Sequence, residues 1–239
     1  MDTTVLQFYN ITTKETLVPF LEKWFEEQGR GVTHGKFHTP TRSMERFQSY
    51  WYVKRKMDLL KDIRFLHLVS RRAGGSTDIS VEIDWDKKVL DLSWARSRID
   101  TSPDNTRSLI ESLLTHMDVG YGACFDIDMA QQIKDLRGGE ENKKEGTIRK
   151  MMKWNSSYAS KQYREDSIRG IFPLNILSTK HLREPLGLTT GVLTLEGWIK
   201  KEKGELLPLG EGLSLWKVSD PTPPMVERTL ENAFPKGFF

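Results

Sequence analysis

Four carboxylates, Glu82, Asp84, Asp86 and Asp91, lie close together along the chain, and their spacing suits strands. From Asp78 to Trp85 the residues alternate. Ile79, Val81, Ile83 and Trp85 take one side, and Asp78, Ser80, Glu82 and Asp84 take the other. After Asp86-Lys87-Lys88, a turn, Leu90, Leu92 and Trp94 repeat the apolar beat. Neighbouring strands lie about 4.8 Å apart, so the acids of such a hairpin would be close in space. Clustered carboxylates can hold a hard cation. They can also meet a basic patch on a partner protein, where complementary charge gives steering and specificity, or simply face solvent. Partner binding fits better than metal. A metal site usually draws ligands from several elements, and Lys87 and Lys88 already supply counter-charge.

The same stretch invites a nuclease reading, with Asp78 upstream of Asp86-Lys87-Lys88. The acid–spacer–lysine triplet of restriction-type nucleases needs a hydrophobic spacer within a strand. Here the spacer is Lys87 and the triplet falls in the expected turn. His34 and His38 have the H-x-x-x-H spacing of a helical zinc site, but the surrounding glycines make them loop histidines. His67 sits in an apolar strand, and His116 and His181 lie near helix ends, so all three are expected to be structural. Cys124, between Ala123 and Phe125, is expected to be buried and inert. Ser76, Ser97 and Ser178 lack the G-x-S-x-G setting, and no phosphate-cradling glycine loop occurs. The expectation is therefore a protein that is not an enzyme, with no catalytic, cofactor-binding or metal-binding residues.

One basic, aromatic stretch remains. Arg42, Arg46, Lys54, Arg55, Lys56, Lys61 and Arg64 surround Tyr50, Trp51 and Tyr52, and residues 43–62 are predicted to form a helix. Cations neutralise phosphates and aromatic rings stack on bases, so this helix is the seat of an alternative, nucleic-acid-binding reading. The competing expectation is that Phe47, Tyr50 and Trp51 anchor the helix in the core while its charges are solvated. Tyr52 would then face outward as a contact for a protein partner, alongside Glu82, Asp84, Asp86 and Asp91.

These residues need a scaffold. Residues 4–9 alternate as a strand. Leu17, Phe20, Leu21, Trp24 and Phe25 mark a helix that Thr16 can cap and Gly29 can end. Pro19 falls in its first turn, where proline is tolerated. Residues 29–40 read as a loop. Ser102-Pro103 starts another helix, with Leu109, Ile110, Leu113 and Leu114 on one face. Residues 121–127 and 171–177 are predicted strands, Thr194 caps a short helix through Trp198, residues 212–218 form a strand, and Thr222-Pro223-Pro224 begins a last helix. The pattern predicts an α+β fold, mostly antiparallel sheet with helices packed against it, as one globule or two tightly joined lobes. The predicted boundaries are an N-terminal lobe at 1–137, a polar connector at 138–167 containing the run GGEENKKEG, and a C-terminal unit at 168–239.

Composition narrows the setting. The 239 residues suffice for a core without staples. A single cysteine rules out an intrachain disulfide and suits a reducing compartment. Neither a secretory signal nor an apolar stretch near the roughly 18 residues of a membrane span is visible, so a cytoplasmic location with no membrane partner is expected. The net charge of +3 excludes a strongly acidic nucleic-acid mimic and gives no global basic signature, which makes nucleic acid the less expected partner.

The C-terminal third carries a family pattern. It runs Phe172-Pro173-Leu174-Asn175-Ile176-Leu177, then His181-Leu182, Leu195-Glu196-Gly197-Trp198-Ile199, Leu207-Pro208-Leu209 and Gly212-Leu213-Ser214-Leu215-Trp216. With the N-terminal helix ending in Trp24-Phe25, this resembles the immunity protein 52 family of polymorphic toxin systems. The resemblance covers roughly the last 70 residues and that helix. It implies a cytoplasmic α+β antitoxin that binds and blocks a cognate toxin domain, often of nuclease type, and it brings no catalytic residues. A generic protein-interaction module would share every other feature.

Overall fold

A computed structural model of the chain describes residues 2–44, 46–57, 62–72, 75–97, 99–128, 172–183, 185–186, 193–201 and 204–218. The expected connector at 138–167, the GGEENKKEG run and the expected helix from Thr222 lie outside the described residues. The fold is α+β, mostly antiparallel sheet with a few helices packed against it. Two compact units are present. One holds Met1–Val119 with Asp126–Met129, and the other holds Gly120–Phe125 with Ala130–Phe239.

In the first unit, β1 (Asp2–Tyr9), β2 (Thr12–Thr13) and α1 (Leu17–Glu27) come first. Next are β3 (His34–Thr39), β4 (Arg42–Ser43), β5 (Gln48–Ser49) and α2 (Tyr50–Met57). β6 (Phe65–Arg71), β7 (Thr77–Asp84), β8 (Val89–Ala95), α3 (Pro103–Leu114) and β9 (Met117–Asp118) complete it. Its main sheet runs β1-β8-β7-β6-β3-β4, with β5 also on β3, and all the pairings described are antiparallel.

Register makes one sheet face the core. Phe8, Leu90, Ile83, Leu66 and Phe37 form one row of cross-strand partners, and Leu6, Leu92, Val81, Leu68 and Gly35 form the next. The side chains of these rows are fully buried. Helices cover them with their own apolar stripes. α1 contributes Leu17, Leu21, Trp24 and Phe25, and Trp24 meets Trp94 edge-on at 6.1 Å. α3 buries Leu109, Ile110 and Leu113, and Ser102 caps it by accepting from the Asn105 amide at 3.4 Å, with Pro103 in its first turn. Burying such a row of large aliphatic and aromatic side chains contributes about 1.5–3 kcal/mol each.

In the second unit, β10 (Tyr121–Asp128, whose last residues belong to the first unit) pairs with β11 (Leu174–Ser178). α4 (Thr179–Arg183), the short pair β12 (Pro185–Leu186) and β13 (Leu193–Thr194), and α5 (Leu195–Ile199) come next in the chain. β14 (Gly204–Gly210) and β15 (Leu213–Val218) extend the order to β14-β15-β11-β10. Leu195, Trp198 and Ile199 bury the face of α5, and Trp198 meets the fully buried Trp216 at 5.9 Å. Thr194 caps α5, as its type and position predict, by accepting from the Gly197 amide at 3.2 Å.

Four local expectations change. Residues 34–39 are a strand rather than part of a loop. Gly35 and Phe37 point inward and His34, Lys36 and His38 outward, an alternation that glycine conceals from hydropathy. The predicted helix at 43–62 is helical, among its described residues, only at Tyr50–Met57, because residues 42–43 and 48–49 pair with β3. Val53 alone is buried on α2, so Trp51, expected as a core anchor, stands 70% exposed. Trp85 leaves the strand for the turn, where its indole N–H donates to Thr13 Oγ1 at 2.8 Å. Thr16 occupies the N-cap of α1 without a side-chain cap bond, and its hydroxyl instead meets His116 Nδ1 at 2.8 Å.

Candidate functional site

The face of the first unit's sheet opposite the helices is polar and largely half-buried. One row of cross-strand partners reads Lys36, His67, Glu82, Asp91 and Gln7, from β3 through β6, β7 and β8 to β1. Alternation dictates that these side chains share a face. Glu82 and Asp91, two of the predicted acids, are thus direct register partners. On the other side of Glu82, its Oε1 lies 2.9 Å from His67 Nδ1, and His67 Nε2 meets Ser80 Oγ at 2.7 Å. Contact with His67 holds the Glu82 carboxyl below its ordinary value. Burial opposes that shift, while the charges of His67, Lys36 and Lys87 reinforce it.

The other acids sit differently. Asp84 lies at the turn end of β7, accepting from the Lys87 amide at 2.9 Å and pairing with Lys87 Nζ at 2.7 Å. Asp86 projects from the turn toward Arg64 at 3.2 Å, and the same guanidinium pairs with Asp62 at 2.8 Å. Those two carboxylates, Asp62 foremost, raise the Arg64 pKa above its ordinary value. Asp78, expected on the exposed acidic side, is only 2% exposed and is held by Arg72 Nε at 2.6 Å, with Arg30 at 3.8 Å. Arg72 is raised in turn, chiefly by its hydrogen bond to Asp78.

Tyr52 is 41% exposed, on α2. That helix seats Val53 over Gly35, on the core side of the sheet, so Tyr52 and the acids belong to different surfaces. His34 and His38 point from β3 to separate partners, Thr33 Oγ1 at 3.0 Å and Ser43 Oγ at 2.6 Å. Among the described residues, no group of three or more His, Cys, Asp or Glu is placed to hold a metal ion. Cys124 is buried. His181 is fully buried, with Nδ1 2.7 Å from Ser178 Oγ. Among the described residues, no helix is long and apolar enough to cross a membrane.

Sequence reasoning missed Lys36 and His67 as members of the polar row. Their only signal is register, and register across non-consecutive strands is visible only once β3 is known to pair with β6.

No family model matches the chain, and no curated protein matches it. Among solved structures, the chain is similar to a Pseudomonas aeruginosa T6SS protein at 10% identity and a TM-score of 0.49. The alignment covers 98% of this chain and 69% of that one.

Proposed function

We propose that this chain is a toxin-neutralising immunity protein that binds a cognate toxin domain of nuclease type and acts in the cytoplasm, without catalysis of its own. The observation that carries this reading is Glu82 standing in register with Asp91 on a half-buried sheet face. Both carboxylates lie on that one polar face, and Glu82 is kept in its charged form there by His67. A nuclease presents cations that seek phosphate, and a flat face bearing paired carboxylates offers them an alternative anion. Complementary charge of this sort speeds encounter and excludes wrong partners. The family resemblance of the C-terminal third points the same way.

The test is rescue of growth in cells that express a nuclease toxin domain encoded beside this chain's gene. Wild-type chain is expected to restore growth. Glu82→Gln combined with Asp91→Asn keeps the shape of the face and removes its charge, and it is expected to abolish rescue and weaken binding to the purified toxin domain. Full rescue by that double variant would sink the acidic-face reading.

A further inference from the structure

The first unit carries a second surface that the toxin reading does not use. Residues 29–57 hold seven Lys and Arg against one acid, Glu45, although the whole chain is only +3. They fold as β3, β4, β5 and α2, at the edge of the sheet where β4 is the terminal strand. Lys54 pairs with Glu22 at 2.9 Å and Arg30 lies 3.8 Å from Asp78. No described carboxylate forms an ion pair with Lys36, Arg42, Arg46, Arg55 or Lys56. Fixed positive charge is therefore left facing outward along this edge.

Aromatic rings are interleaved with it, each beside a cation. The Arg55 guanidinium lies 5.7 Å from the Trp51 ring, and Lys56 Nζ lies 5.7 Å from the Tyr52 ring. Phe47 is flanked by Arg71 at 4.4 Å and Lys36 at 5.3 Å. Trp51 and Tyr52 are the large exposed hydrophobic side chains of the described residues. Adjacent exposed rings can stack on bases, and a cation beside each ring is positioned to neutralise a phosphate next to a stacked base.

We infer that this edge, from β3 and β4 to α2, binds single-stranded nucleic acid. Exposed ring faces select unpaired bases, because the bases of a duplex are already stacked on each other. An acidic protein would satisfy the cations but would leave Trp51 without a flat partner. Its α2 part, with Trp51, Tyr52, Arg55 and Lys56, lies on the other side of the sheet from the carboxylates of the polar row.

The experiment is fluorescence anisotropy of the whole chain with a fluorescein-labelled twelve-nucleotide oligothymidylate. A duplex of equal length and a labelled twelve-residue polyglutamate peptide serve as comparisons. The single strand is expected to bind tightest. Its affinity should fall roughly 20- to 100-fold between 50 and 200 mM salt, if about four phosphates are neutralised. Trp51→Ala, at a surface position that leaves the core intact, should weaken binding about 5- to 100-fold, the value of one base–aromatic stack. Circular dichroism confirms that the variant is folded. Glu82→Gln with Asp91→Asn should leave the fold-loss caused by Trp51→Ala unchanged, which separates the stacking site on α2 from the toxin surface. Equal binding of duplex or peptide, or an unchanged dissociation constant for Trp51→Ala, would overturn the inference.

Discussion

Gly35 of β3 lies directly beneath Val53 of α2. A Cβ added to Gly35 would stand 3.3 Å from Val53 Cγ1, 3.1 Å from Leu68 Cδ2 and 3.1 Å from the His67 carbonyl oxygen. Each distance is tighter than ordinary van der Waals contact, and one neighbour is backbone. The missing side chain is what lets α2 settle on the sheet edge and present Trp51 and Tyr52 outward.

Gly35→Ala should therefore destabilise the first unit by about 1–3 kcal/mol, the usual cost of overpacking a filled site. Urea denaturation followed by tryptophan fluorescence measures it. A midpoint equal to that of the wild type would show that α2 gives way without cost.

Asp78 is buried with its carboxylate on Arg72, and it joins the start of β7 to the residue that follows β6. Asp78→Asn keeps the size and removes the charge. It should cost about 1.5–3 kcal/mol, the range for a hydrogen bond to a charged group. Thermal unfolding of the variant reads the loss, and Asp86→Asn, whose carboxylate is exposed, should produce little change in the same assay.

Glu82 makes the acid limb of stability informative. Its carboxyl lies below the ordinary 4.5 in the folded chain because of His67, so its contribution is present above the unfolded carboxyl range. That contribution is lost as pH falls through the depressed folded value. Glu82→Gln should consequently lose less stability than the wild type between pH 7 and about pH 3. Parallel urea titrations at the two pH values give the comparison, and equal losses would remove the His67 contact as the cause.

Much of this architecture was legible from residue types alone. The alternation of Ile79, Val81 and Ile83, repeated by Leu90, Leu92 and Trp94, specifies a hairpin with one dry face, since period two is the geometry of a strand. Ser102-Pro103 and Thr194 mark helix starts because an oxygen acceptor at the N-cap satisfies an otherwise orphaned amide. These signals are local, and local chemistry suffices to read them.

What failed to show in the sequence was decided by pairing between distant segments. Residues 34–39 carry few apolar side chains, and they become a strand because β6 supplies the hydrogen bonds and Gly35 admits α2. The periodicity over residues 43–62 spans both faces of what the edge of β3 separates, so Phe47 faces the polar row while Trp51 faces outward. Asp78 alternates with Glu82 along the chain, but it falls at a register irregularity between β6 and β7 and is buried, with Arg72 and Arg30 on its carboxylate. By itself, the sequence determined the fold class, the hairpin and the caps of α3 and α5, all consequences of neighbours along the chain. Only the tertiary structure decided which acids meet, which aromatics are exposed and where unpaired positive charge collects, because each depends on strand register and on which segment covers which face.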